Sequence, residues 1–234
     1  MRILITAAPP ISHFFQLAPL SWALRVRGHE VLAVAPENLV EPLKATGLPV
    51  TAASAPVSLR EMIGFDRRGR PVPYPDGEGE EAVDAILERS GRGFGRLAAH
   101  SLPGTLHLVE RWRPDLVLSE PTEAAGPLAA TVHGVPWVRQ DWGPVITSAF
   151  TRGLHRELAP ERRAYGLTTP PEPSLVVDPC PVDLLTPWQR DDRVHTRYVP
   201  FNGPGAVPPP PAAPTGNPEP RLCLTFGSVQ SSDG

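Results

Sequence analysis

Cysteine is almost missing: the 234 residues contain two, Cys180 and Cys223, far too few for a disulfide scaffold. Both sit beside proline-rich connections and read as free thiols, because a metal site needs more ligands than they offer. Lysine occurs once, at Lys44, and the other 21 of the 22 basic residues are arginine, which reads as codon bias rather than as a binding surface. With a formal net charge of −3, the chain has no basic excess to attract nucleic acid or anionic lipid. No stretch approaches the roughly 20 apolar residues of a membrane span. The opening MRILITAAPP has one basic residue and too short an apolar run for a secretory signal. A P-loop lysine motif, a G-x-S-x-G elbow and an H-E-x-x-H pair are all missing. These absences predict a cytoplasmic protein with no nucleic-acid or membrane partner.

What is present is a globular composition, 41% hydrophobic and 20% charged, enough for one generous domain or two small ones. Proline is in excess, at 32 residues clustered most densely between Pro204 and Pro220, against a usual share of about 5%. Ile3-Leu4-Ile5 suits a buried parallel strand that Pro9-Pro10 stop. Phe14, Leu17, Ser21 and Leu24 recur at helical spacing, and Gly28 stands where a helix C′ residue belongs. Residues 31–34 read as a strand, Glu37 opens a helix closed by Gly47, and residues 48–52 read as a third strand. This alternation argues an α/β domain with a parallel sheet. Residues 53–79 dissolve into glycine, proline and charge, and read as a long loop, of the kind that in compact domains is functional or mobile. Helical spacing then runs from Val83 to Val109, with Pro103-Gly104 expected to kink or divide it. Strands at 116–118, 136–138 and 175–177 and a small-residue helix over 124–132 complete the pattern. Residues 201–220 read as an extended polyproline-rich linker. The strand at 222–226 cannot make a domain alone, so the sequence predicts an end just inside a second domain.

In open α/β sheets, ligands bind beyond the carboxyl ends of the strands. Two titratable residues fall there: His13 after the first strand and Glu120 after the strand at 116–118. A histidine can take a proton near neutral pH, and a carboxylate on its other nitrogen would set the tautomer. The sequence leaves the strand order open, and the plainer reading of His13 is a helix N-terminal residue. Gly91-Arg-Gly-Phe-Gly95 looks like a nucleotide-binding glycine loop, but its spacing is wrong and it falls inside a helical pattern. His100 and His107, two turns apart with no third ligand, read as surface residues. Trp142, Met62 and Phe65 suit an apolar pocket, whereas Phe150 reads as ordinary core.

Ser12-His13-Phe14-Phe15, Leu17-Ala18-Pro19-Leu20 and Leu24-Arg25-Val26-Arg27-Gly28-His29-Glu30-Val31 together resemble the N-terminal domain of actinobacterial antibiotic glycosyltransferases. These are GT-B enzymes that attach deoxysugars to polyketide natural products such as macrolides. Further resemblance follows in order at Arg113-Pro-Asp-Leu-Val-Leu118, Trp142-Gly-Pro144, Val177-Asp-Pro-Cys-Pro181, Tyr198-Val-Pro-Phe-Asn-Gly203 and Leu224-Thr-Phe-Gly-Ser228. It implies a Rossmann-like parallel sheet flanked by helices over residues 1–200, the acceptor-binding N-terminal half of a GT-B fold. Residues 201–220 would be the interdomain linker, and 221–234 the first strand and loop of a truncated C-terminal nucleotide-sugar domain.

The same resemblance implies a catalytic pair. His13 matches the general base that takes the proton of the acceptor hydroxyl, and Glu120 stands where the family usually has an aspartate that orients this histidine. Pro10, Phe14, Met62, Phe65 and Trp142 would surround the aglycone, and Gly227 and Ser228 would approach the donor diphosphate. The co-substrate would be a dTDP- or UDP-sugar, with inversion at the anomeric carbon and no metal or other cofactor. The resemblance also favours a homodimer. The family's donor-binding motif is missing from these residues, so the chain alone is expected to be inactive. The alternative is a non-catalytic binding module for a hydrophobic natural product or a partner protein. A third reading is a related enzyme acting on a different acceptor, such as a lipid.

Overall fold

The computed structural model describes residues 1–143, 147–185, 192–203 and 205, and a parallel sheet runs through their centre. Strands β1 (Arg2–Thr6), β2 (Glu30–Pro36), β3 (Val50–Ser54), β4 (Leu116–Ser119), β5 (Trp137–Gln140), β6 (Leu175–Asp178) and β7 (Val194–His195) lie in the order β3-β2-β1-β4-β5-β6-β7. Every pairing is parallel. Side chains alternate across a strand, and here the alternation fills two cores. Leu4, Val34 and Val117 face one side and pack with Phe94, Leu97, Leu128 and Phe150. Ile3, Ile5, Val31, Ala33 and Leu118 face the other, against Phe14, Leu17 and Leu43. Strands apolar on both faces are what a sheet covered by helices on both sides requires; the parallel sheet is what the strand–helix alternation predicts, and its Rossmann-like arrangement is what the resemblance implies.

Helices α1 (Ile11–Val26) and α2 (Glu37–Lys44) cover the second face. Helix α1 starts after Pro10 and ends in a Schellman turn. The Gly28 N–H donates to the Arg25 carbonyl at 2.9 Å and the His29 N–H to the Leu24 carbonyl at 3.1 Å, with Gly28 at φ +86°. That left-handed conformation is why glycine stands there. The first face is covered by α4 (Glu80–Trp112), α5 (Ala125–Val132) and α6 (Ser148–Glu157), with α7 (Ala159–Ala164) following.

Four features depart from the sequence pattern. The 53–79 loop contains a short helix, α3 (Leu59–Gly64), started by Ser58, whose hydroxyl accepts from the Glu61 N–H at 3.3 Å. Ser58-Leu-Arg-Glu61 has the spacing of a capping box, so the signal is in the chain. Pro103-Gly104 does not divide α4, which runs unbroken for 33 residues. An interior proline costs a helix about 3 kcal/mol, and the packing of α4 against α3, α5, α6 and β3 offsets that. Gly104 serves there through its missing side chain, since a Cβ would lie 1.7 Å from the Ala53 carbonyl oxygen in β3. Helices α6 and α7 occupy a segment whose few apolar residues, interspersed with arginine and glutamate, give no strong period. The two-residue β7 likewise carries no signal of its own and forms by pairing with β6. Most of the expected linker and the strand at 222–226 fall outside the described residues.

Two consequences position the site. First, α4 and α6 cross through glycine: a Cβ on Gly91 would come 2.0 Å from the Phe150 carbonyl oxygen, and one on Gly153 would come 2.1 Å from that of Glu88. The Gly91-Arg-Gly-Phe-Gly95 segment is therefore a helix-packing surface. Second, β1 has β2 on one side and β4 on the other, so the chain order reverses between β1 and β4. The crevice at the carboxyl ends of such a pair is where open parallel sheets bind ligands.

Candidate active site

His13 and Glu120 meet at that reversal. Thr6 at the end of β1 lies opposite Ser119 at the end of β4, so Glu120 leaves its strand beside the turn that leads into α1, and His13 stands on the first turn of that helix. His13 Nδ1 is 3.4 Å from Glu120 Oε1 and 2.9 Å from Thr122 Oγ1. Nε2 has no hydrogen bond among the described residues. The imidazole stacks on Phe94 of α4, with centroids 5.9 Å apart and 19° between planes, and Trp142 stands tilted against it at 5.1 Å. Two aromatic walls hold the plane of the ring.

Glu120 is enclosed, at 1% exposure, a costly position for a carboxylate unless hydrogen bonds satisfy it. Four donors do so. The Ala8 N–H donates at 2.9 Å, the Thr122 N–H at 2.7 Å, the Thr122 hydroxyl at 2.8 Å and the Trp142 Nε1–H at 3.2 Å. Burial pushes the carboxyl up, but His13 and the N–H groups of Thr122 and Ala8 outweigh it and hold Glu120 below the usual carboxylate range.

Glu123, three residues on, shifts the other way. Burial, reinforced by the charge of Glu120, pushes its carboxyl up although Thr6, Gly126 and Ala125 all donate to it. The Ala125 and Gly126 N–H groups reach it at 2.7 and 2.9 Å. The N-terminus of α5, an end at which a phosphate would otherwise be at home, is thus filled by the chain's own carboxylate.

A cavity of about 450 Å³ adjoins Glu120, which lines it with Trp142, Leu128, Trp137, His155 and Arg162 among others, while His13 is outside its lining. Its polar wall is internally neutralised: Arg139 Nε donates to Asp141 at 2.7 Å and Arg193 Nη1 to the same carboxylate at 3.0 Å. Burial, and then the charge of Arg162, push the His155 imidazole down to about 4. His155 is therefore a neutral wall residue across the physiological range. An NMR titration is expected to place its midpoint near 4; a midpoint near the ordinary 6.5 would mean that water rather than protein surrounds the ring. Because the folded value is depressed, the stability that neutral His155 contributes is present above about 6.5 and lost as pH falls through about 4.

The other residues picked out in the sequence are placed as follows. Pro10 precedes α1, and its carbonyl accepts from the His13 N–H at 2.9 Å. Phe14 does not face a ligand: at 1% exposure it lies in the α1-side core with Ile5 and Leu17, because one step along a helix turns a side chain by about 100°. Met62 and Phe65 line a separate open groove with Arg67, Arg96 and His100, so the single apolar pocket expected for them and Trp142 is two. Phe150 packs edge-on against Phe94 at 5.2 Å as core, and His100 and His107 are exposed. Cys180 is a half-buried free thiol; Cys223, Gly227 and Ser228 lie outside the described residues. Among the described residues, no group of three or more His, Cys, Asp or Glu is placed to hold a metal ion, and no helix is long and apolar enough to cross a membrane. Sequence reasoning missed Thr122, Glu123 and Phe94. Thr122 and Glu123 had a signal in their place just beyond a strand end, whereas Phe94 reads only as a helix core residue.

The fold has solved counterparts. The Streptomyces sp. SF2575 glycosyltransferase SsfS6 complexed with thymidine diphosphate is 38% identical with a TM-score of 0.79, over 90% of this chain and 56% of that one. The spinosyn rhamnosyltransferase SpnG complexed with spinosyn aglycone is 31% identical with a TM-score of 0.70, over 89% of this chain and 52% of that one. The parallel sheet with its helical layers is the Rossmann-like N-terminal half of a GT-B glycosyltransferase fold. Residues 22–227 match the family model described as the erythromycin biosynthesis protein CIII-like N-terminal domain, and the chain belongs to that family. L-demethylnoviosyl transferase of Streptomyces niveus is 37% identical over 97% of this chain, and elloramycin glycosyltransferase of Streptomyces olivaceus 32% over 97%. The chain spans 57% and 58% of the lengths of these two relatives. The family match starts at residue 22, so Glu120, Thr122 and Trp142 fall inside it and His13 stands ahead of it.

Proposed function

We propose that the chain is the acceptor-binding half of an inverting glycosyltransferase that moves a deoxysugar from a dTDP-sugar to a hydroxyl of a polyketide-type aglycone. The observation that carries this reading is His13 at the β1–β4 reversal, its Nδ1 engaged by Thr122 and Glu120 and its Nε2 without a hydrogen bond among the described residues, with Glu120 and Trp142 lining the neighbouring cavity. In this mechanism Nε2 takes the proton of the aglycone hydroxyl as its oxygen attacks the anomeric carbon. The bond from that carbon to the diphosphate breaks, its electron pair leaves with the phosphate oxygen, and attack from the opposite face inverts the centre. The imidazolium formed is neutralised by the ionised Glu120 only 3.4 Å away. A neutral hydroxyl is a poor nucleophile, and a positioned base is worth roughly 10²–10⁴-fold.

Support for the donor comes from the thymidine diphosphate in the SsfS6 and SpnG structures. Support for a deoxysugar and a polyketide-type acceptor comes from relatives such as the 10-deoxymethynolide desosaminyltransferase of Streptomyces venezuelae, 32% identical. The filled N-terminus of α5 favours assigning the acceptor, rather than the nucleotide, to this half. Calorimetric titration of the chain with aromatic polyketide and macrolide aglycones, and separately with dTDP and UDP, is expected to show aglycone binding alone. Nucleotide binding without aglycone binding would assign the wrong half of the fold and remove the role of His13.

A further inference from the structure

Glu120 alone does not hold the imidazole. Its contact with His13 Nδ1, at 3.4 Å, is at the outer limit of a hydrogen bond, whereas the Thr122 hydroxyl sits 2.9 Å from the same nitrogen. That hydroxyl also lies 2.8 and 2.9 Å from the two oxygens of Glu120. The side-chain inventory then decides where the hydrogens are. Glu120 already accepts from the N–H groups of Ala8, Thr122 and Trp142, and a carboxylate so placed is ionised and can only accept. The single hydrogen of the Thr122 hydroxyl must therefore point at Glu120. Its oxygen faces His13 with a lone pair, and a second lone pair at 2.9 Å on Nδ1 would repel it.

We infer that Thr122 is a positioning residue for the proposed base: Nδ1–H donates to the Thr122 oxygen, the Thr122 hydrogen goes to Glu120, and Nε2 keeps its lone pair for the acceptor proton. The relay needs no rearrangement during reaction, because Nδ1 carries its hydrogen both before and after Nε2 takes the proton. Donors and acceptors already aligned for the charged state add no reorganisation to the barrier. The inference rests on the reading of His13 as a general base, but the tautomer can be measured without any turnover.

Nitrogen-15 NMR of the histidine-labelled chain, with the His13 signals assigned by their loss in His13→Gln, is expected to show a protonated Nδ1 and an unprotonated Nε2. Thr122→Val, which keeps the branched shape and removes the hydroxyl, is expected to give a mixture of tautomers, and Thr122→Ser to restore the single form. In a full-length enzyme carrying this domain, Thr122→Val is expected to lower kcat roughly 10- to 100-fold, short of the full worth of a general base, with KM for the aglycone unchanged. A protonated Nε2 in the unmutated chain overturns the relay whether or not the Val variant folds. So does a folded Val variant that keeps the Nδ1–H form and full turnover. Full activity of a His13→Ala enzyme, by contrast, removes the base and leaves the tautomer result standing.

Discussion

His13→Ala, in a full-length enzyme carrying this domain, is expected to lower kcat by roughly 10²–10⁴-fold and to leave the affinity for the aglycone within about threefold. The asymmetry follows from where the ring sits. Phe94 stacks on the ring, Trp142 stands tilted against it and Nδ1 is engaged by Thr122, so little of it remains for binding energy, and the side chain is 17% exposed. An interaction made only in the transition state lowers kcat and kcat/KM together when it is lost, whereas uniform binding appears in KM alone. A His13→Ala enzyme with high KM and normal kcat would turn the residue into a binding contact. Unchanged kinetics would take the proton to a group other than this imidazole.

The parallel sheet was legible from its first strands, β1 and β2, because each is short, apolar and followed by a helix with a readable end, as at Gly28 and Gly47. The pairing of His13 with Glu120 was implied by the resemblance alone, since nothing in the spacing of residues 13 and 120 says that β1 and β4 are neighbours; the sheet order supplies that. Phe14 illustrates the opposite failure. It adjoins His13 in sequence and belongs to the same motif, yet helix geometry sends it into the core beside Leu17. Thr122 escaped notice for a third reason. A threonine just past a strand reads as turn chemistry, and only the distances to both partners make it an intermediary. The long α4 was obscured by Pro103-Gly104, whose local preference is overridden by packing against β3.

Gly153→Ala is expected to destabilise the chain by about 1–3 kcal/mol, the usual range for overpacking, although alanine is the better helix former by about 1 kcal/mol. The sign is decided by backbone rather than by side chains. The new Cβ would stand 2.1 Å from the Glu88 carbonyl oxygen, and a helix carbonyl cannot rotate away without breaking its own ladder. The two helices must therefore separate by about an ångström, which is roughly the shortfall from van der Waals contact. A domain of this size loses roughly 2–4 °C of Tm per kcal/mol, so the drop is expected to be about 2–12 °C. Gly91→Ala, aimed at the Phe150 carbonyl across the same seam, is expected to behave alike. The double variant should fall short of additive, because the first separation makes room for the second. The seam also carries the site: Phe94, between Gly93 and Gly95, stacks on His13 and meets Phe150 edge-on. Widening it loosens one wall of the imidazole, and in a full-length enzyme the same variants should lower kcat before they unfold the domain. A Tm that rises in either single variant would show that helix propensity outweighs the contact and that the crossing has room to spare.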